Sequence, residues 1–148
     1  MDLDLIKINL DAATNKDAIK ELGELMREKD YVKQGYIEAV LKREETLPTG
    51  LNIGEMCVAI PHTDPIHVNA AAVAVGRLNT PVKFHSMIDP AKEIDVKVVF
   101  LLAVKDPQKQ VELLTKLMAL FQNVEILKQI EAASNKETIA RIMEKAID

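Results

Sequence analysis

Apolar residues recur along this chain with two periods, and the switches between them divide it into elements. Residues 3–10 carry Ile6, Ile8 and Leu10 at every second position, as in a strand with one buried face. Thr14-Asn15-Lys16-Asp17 then offers a helix cap, and Ile19, Leu22, Leu25 and Met26 repeat at helical spacing, predicting one buried stripe. Ile37, Val40 and Leu41 predict a second helix, expected to fray near Arg43-Glu44-Glu45 and to give way to a loop at Pro48 and Gly50. The run Met56-Cys57-Val58-Ala59-Ile60 predicts a buried strand that stops at Pro61, which has no amide to donate to a ladder. Residues 71–78, with Val73 and Val75, predict another strand. Residues 96–104 are apolar nearly throughout, the pattern of a sheet centre.

Three helices in series follow. Asp106-Pro107 supplies a cap and a first-turn proline ahead of Val111, Leu114, Leu117, Met118 and Phe121. Asn123 opens a shorter helix with Val124, Leu127 and Ile130. Ser134-Asn135-Lys136-Glu137 reads as a capping box before Ile139, Ile142 and Met143. The order strand, two helices, three strands, helices is that of an α/β fold, and 148 residues without repeats or low-complexity segments predict one domain over 1–148.

Composition narrows the function. Nineteen Lys and Arg against 23 Asp and Glu leave a net charge of −4, which offers no broad basic field for nucleic acid. The longest apolar stretch, residues 98–104, is too short to span a bilayer, and Met1-Asp2-Leu3-Asp4 is acidic where a signal peptide is basic, so a cytoplasmic protein without membrane insertion is expected. One cysteine, Cys57, excludes an internal disulfide and is expected to be a small buried hydrophobe. With no Trp and five Phe and Tyr together, there is no aromatic platform for bases or sugars.

Candidate chemistry centres on His62, delivered by the strand that ends at Ile60-Pro61, where open α/β sheets gather their ligands. An imidazole oriented through one nitrogen leaves the other as a nucleophile able to accept a phosphoryl group. The plain alternative is a capping or surface histidine. Arg43 and Thr49 flank the loop leading to this strand, and a guanidinium and a hydroxyl both serve phosphates; a solvated helix end and a simple turn are the alternatives. Asp64 is a possible carboxylate partner for His62, or only a turn former. His67, five residues beyond His62, fits no zinc spacing, so neither metal nor cofactor is expected. His85 alternates with Phe84 and Val82 as on the exposed side of an edge strand. Gly-rich phosphate loops, Gly-x-Ser-x-Gly and HExxH are absent, which leaves nucleotide-driven, serine-hydrolase and zinc-hydrolase readings without support.

Arg43-Glu44, Leu47-Pro48-Thr49-Gly50, the strand end Val58-Ala59-Ile60-Pro61-His62 and the run Val99-Phe100-Leu101-Leu102-Ala103-Val104 before a helix together resemble the enzyme IIA domain of the bacterial phosphoenolpyruvate-dependent sugar phosphotransferase system, mannitol/fructose type. The resemblance covers nearly the whole chain. It implies a central mixed sheet flanked by helices, phosphorylation of His62 on Nε2, and a pocket lined by Arg43 and Thr49. Where mannitol- and fructose-type members carry a second histidine, this chain has Gln110, which cannot ionise. Together with His67 in Ile60-Pro61-His62 and Ile66-His67, that departure is most similar to the galactitol-specific branch. Gln110, His67 and Asp64 are thus expected around the nucleophile in supporting positions.

The same resemblance implies phospho-HPr as donor, enzyme IIB as acceptor and, indirectly, the membrane enzyme IIC, in uptake of a hexitol such as galactitol. Partners docking in succession call for an apolar rim, for which Ile66 and Met87 are candidates. The competing reading is a nitrogen-type regulatory enzyme IIA, whose phosphorylation state controls protein partners.

Overall fold

A computed structural model describes residues 1–147. In chain order its elements are β1 (Ile6–Leu10), α1 (Asn15–Glu28), α2 (Tyr36–Thr46), β2 (Gly50–Asn52), β3 (Cys57–Ala59), β4 (Ala72–His85), β5 (Glu93–Ala103), α3 (Pro107–Phe121), α4 (Val124–Ala132) and α5 (Lys136–Ile147). Two 3-10 turns, Leu3–Leu5 and Pro65–His67, complete the chain. The five strands form one mixed sheet in the order β1-β4-β5-β3-β2. β1 and β3 run parallel to β4 and β5 respectively, whereas β4 and β5, and β2 and β3, are antiparallel. The apolar run at the sheet centre is β5, as its composition predicts.

Both faces of this sheet are covered, so its central strands can be apolar in succession. On one side α1 and α2 pack Ile19, Leu22, Met26, Tyr36 and Val40 against Val96, Val99 and Leu101 of β5. On the other, α3, α4 and α5 pack Leu117, Phe121, Ile130 and Met143 against Val98, Phe100 and Leu102. Val96 and Val98 face opposite sides although they are two residues apart. The register shifts beside them, between Cys57 and Val58 and between Arg77 and Val82, mark an irregularity that changes the strand's phase.

Several local expectations need correction. Leu3–Leu5 forms a 3-10 turn capped by the Asp2 side chain, so β1 is shorter than residues 3–10. α2 does not fray at Arg43-Glu44-Glu45 but continues to Thr46, because the Glu44 side chain is buried and bonded. The loop expected at Gly50 includes a short additional strand directly after α2, β2, paired with β3. Gly50 fits there because a Cβ would stand 2.7 Å from the His85 carbonyl oxygen. β4 extends seven residues beyond 78 to His85, so Phe84 and His85 belong to the β4–β5 ribbon, with His85 on its exposed side. The cap of α5 is Asn135 rather than Ser134: its side chain accepts from the Thr138 amide and hydroxyl. Cys57 is only half-buried.

Arg77 ties the second helical layer to the sheet. Its Nη1 donates to the carbonyls of Ile130, Glu131 and Ala133 at 3.0, 2.9 and 2.6 Å, and its Nε to the Ile8 carbonyl at 3.1 Å. A guanidinium thus satisfies the unpaired carbonyls at the end of α4 and complements the negative end of that helix. Substitution Arg77→Met keeps the stem's packing but leaves those carbonyls without a donor. It should lower the unfolding free energy by about 2–4 kcal/mol in urea titrations, with little change in the slope.

Candidate functional site

His62 stands just past the end of β3, and its position is set by backbone groups. Because β3 and β5 are parallel, their carboxyl ends lie at the same end of the sheet. The Leu102 amide donates to the Pro61 carbonyl, and the buried Tyr36 hydroxyl, at the first residue of α2, donates to the Leu102 carbonyl. Pro61 is thereby held against the sheet centre. His62 is 8% exposed, and its Nδ1 lies 2.7 Å from the Ile60 carbonyl oxygen. A carbonyl only accepts, so Nδ1 carries the proton and Nε2 keeps its lone pair. Among the described residues Nε2 has no hydrogen-bond partner, and it is not sealed from solvent.

Burial is the main cause that holds the His62 pKa below the ordinary histidine value. The Ile60 hydrogen bond opposes it, the nearby Arg43 guanidinium adds to it, and Asp64 opposes it weakly. The ring is therefore neutral at neutral pH, the nucleophilic form. Arg43, on the last turn of α2, has a buried Nε without a hydrogen-bond partner, and its nearest carboxylate contact is Nη1 to Asp64 at 4.0 Å. A partly exposed guanidinium with unused donors beside a neutral imidazole is a receptor for an anion.

Thr49 takes a different part from the one its hydroxyl suggests. It is buried, and both its amide and its hydroxyl donate to Glu44, at 2.7 and 2.8 Å. Its carbonyl accepts from the Ile60 amide at 3.3 Å. Thr49 therefore connects the end of α2 to the residue that orients His62. Asp64 does not orient the ring: Ile60 occupies Nδ1, and the Asp64 side chain is 79% exposed and only loosely paired with Arg43. His67 packs beside Gly35, whose notional Cβ would lie 3.4 Å from its Nδ1. That is at the start of α2, eight residues or about two helical turns from Arg43 along the helix. Gln110 is on the first turn of α3, which leaves the same sheet end as His62, and it is half-buried. Ile66 and Ile88 are 72% and 87% exposed, and Met87 and Leu47 also stand out from the surface.

Glu44 is the residue that pattern reading missed. The charge run Lys42-Arg43-Glu44-Glu45 reads as a solvated helix end, but Tyr36, Val40 and Glu44 recur every four residues and share the buried face of α2. That phase was the available signal. Burial pushes the Glu44 carboxyl up to about 7, against the Thr49 hydrogen bonds and the weaker pull of His85 and Arg43. The groups around it in a cleft of about 240 Å³ are Lys16, Glu45 and His85, with Lys16 and Glu45 paired at 3.3 Å.

Among the described residues, no group of three or more metal-ligating side chains is assembled, and no helix is long and apolar enough to cross a membrane.

A carboxyl raised from 4.5 to about 7 contributes stability that is complete below pH 4.5 and lost as pH rises through 7. Glu44→Gln does not lose it. The difference in unfolding free energy, variant minus parent, should rise by on the order of 2–3 kcal/mol between pH 4.5 and pH 8 in denaturant titrations. The lowered His62 pKa acts in the opposite sense, removing stability as pH falls below 6.5, and is common to both proteins.

Known proteins share this arrangement of elements. The family described as "Phosphoenolpyruvate-dependent sugar phosphotransferase system, EIIA 2" matches residues 1–146. The galactitol-specific EIIA component of Escherichia coli K12 is 26% identical over 125 residues, covering 84% of this chain and 83% of that protein. A mannitol-specific enzyme IIA component of Staphylococcus aureus N315 is 30% identical over 144 residues, covering 97% and 94%. Among solved structures, the mannitol enzyme IIA in its complex with phosphorylated enzyme IIB from Escherichia coli superposes with a TM-score of 0.80 at 21% identity, over 98% of this chain and 97% of that one. The nitrogen regulatory protein IIA-Ntr of Neisseria meningitidis gives 0.79 at 24% identity, over 96% and 94%. With the family matched along almost its whole length and the mixed sheet reproduced, the chain belongs to the type-2 enzyme IIA family of the sugar phosphotransferase system.

Proposed function

We propose that the protein is a phosphocarrier that accepts a phosphoryl group on His62 Nε2 from phospho-HPr and passes it to a cysteine of a cognate enzyme IIB. The observation that carries this reading is the imidazole fixed through Nδ1 with Nε2 unbonded, beside a guanidinium whose donors are largely unspent. In the step, the Nε2 lone pair forms the new N–P bond as the donor's N–P bond breaks, and the donor imidazole keeps that electron pair. No proton moves. His62 becomes an N-phosphoimidazolium, and the Ile60 carbonyl stabilises the charge that develops on Nδ1–H. Arg43 neutralises the equatorial oxygens of the transferring group, so catalysis rests on position and charge.

The acceptor assignment is supported by the structural likeness to a mannitol enzyme IIA solved with phosphorylated enzyme IIB. A hexitol such as galactitol is the proposed cargo of the system, on the match to the galactitol-specific component. This work would take place in the cytoplasm, with IIC as the membrane partner. The exposed Ile66, Met87 and Ile88 are proposed as part of the rim on which donor and acceptor dock.

Incubation with phosphoenolpyruvate, enzyme I and HPr should place one acid-labile phosphate on the parent protein and none on His62→Ala, read by intact mass. Retained labelling of His62→Ala would refute the assignment. Arg43→Leu should slow transfer by about 10²-fold, with partial recovery in Arg43→Lys. The rate should stay flat as pH falls to 6.5 and decline only below it, as the depressed His62 pKa is reached. A protein that takes up phosphate yet discharges to no enzyme IIB while binding another protein would be the regulatory type instead.

A further inference from the structure

We propose that Glu44 is a positioning residue for phosphoryl transfer: by holding the Thr49 amide and hydroxyl, it fixes the strand end that carries His62 relative to the helix end that carries Arg43. The inference rests on the phosphocarrier reading of His62. Its warrant is an uninterrupted run of hydrogen bonds. The Glu44 carboxylate accepts both Thr49 donors at 2.7 and 2.8 Å, the Thr49 carbonyl accepts from the Ile60 amide at 3.3 Å, and the Ile60 carbonyl accepts from His62 Nδ1 at 2.7 Å. Glu44 is adjacent in sequence to Arg43 on the last turn of α2, so the nucleophile and its anion receptor are referred to one carboxylate. Glu44 is 7% exposed and Thr49 2%. A buried carboxylate between two donors is costly to desolvate, and three residues of turn, Leu47-Pro48-Thr49, have no other side-chain tie to α2 among the described residues. The Leu47 amide still bonds the Arg43 carbonyl and Gly50 still pairs with Ala59, but between them Thr49 loses its side-chain anchor, and a shift there is passed to Ile60.

Glutamine offers a carbonyl to the Thr49 amide and an NH₂ to the Thr49 hydroxyl oxygen, so Glu44→Gln retains both contacts, whereas Glu44→Ala retains neither. A displacement of about 1 Å between reacting groups is worth up to about 10²-fold in rate. With phospho-HPr as donor, Glu44→Ala should therefore lower the single-turnover rate at saturating donor by roughly 10- to 100-fold, with the half-saturating concentration within about twofold of the parent. Glu44→Gln should recover the rate to within about threefold. A second measurement needs no partner: the ¹⁵N spectrum of the His62 ring should report Nδ1–H in the parent and Glu44→Gln and a mixed or exchanging tautomer in Glu44→Ala. Where Glu44→Ala does not fold, Thr49→Val removes the hydroxyl contact alone and should cost several-fold in the same rate. A folded Glu44→Ala with the parent's rate and ring spectrum overturns the proposal, as does a Glu44→Gln as slow as Glu44→Ala. A parent that accepts no phosphate sinks the phosphocarrier reading instead, and the ring spectra still decide the part played by Glu44.

Discussion

The site depends on the two backbone groups of Ile60. Its amide is given to the Thr49 carbonyl and its carbonyl receives the His62 Nδ1 proton, so one residue at a strand end fixes both the neighbouring turn and the tautomer of the nucleophile. The Ile60 carbonyl is the group that assigns the proton to Nδ1 and leaves Nε2 free. The sheet resists such movement because Pro61 is bonded to Leu102 of β5, and Leu102 in turn receives the Tyr36 hydroxyl from α2. Strand order matters here for a concrete reason. Only a parallel β3–β5 pair brings the end of the reactive strand beside the end of the sheet's most buried one.

The electrostatics follow from that arrangement. On the proposed phosphocarrier reading, an imidazole oriented by a carboxylate would carry a negative charge towards an incoming phosphoryl dianion, and like charges at contact distance cost several kcal/mol at interior dielectric values. A neutral carbonyl orients without that cost. Among the described residues, the one carboxylate within 4.0 Å of Arg43, Asp64, is exposed, where solvent screens it and where it can yield to an incoming anion. Glu44, the buried carboxylate, is turned to Thr49 and away from such a role.

Much of this was legible in the sequence, for identifiable reasons. The α/β layering, the central strand and the caps at Thr14, Asp106 and Asn123 follow from periodicity and from side chains that bond their own backbone, both local properties. The Ile60-Pro61-His62 strand end was visible because proline terminates a ladder, and Arg43 because of its place before a turn. The structure puts both at one end of the sheet. What escaped was relational. β2 has three residues and exists through pairing with β3 and a bridge from Gly50 to Ser86, so nothing in its own pattern marks it. Thr49 reads as a free hydroxyl until the turn brings it under Glu44, and Asp64 looks like a histidine partner until the backbone is seen to occupy that position. Glu44 itself was hidden in a charge run whose composition suggested water while its phase on α2 pointed inward.

The orientation of His62 by a main-chain oxygen has an evolutionary consequence. Every residue type carries a carbonyl, so the device that selects the reactive nitrogen leaves no trace in the amino-acid alphabet and is not abolished by the identity of residue 60 alone. Neighbouring side chains can then drift with the demands of new docking partners while the chemistry stays constant. If His62 is the nucleophile we propose, a lineage built this way is free to diversify its contacts around a fixed ring, and comparisons restricted to side chains would overlook the group that makes such divergence safe.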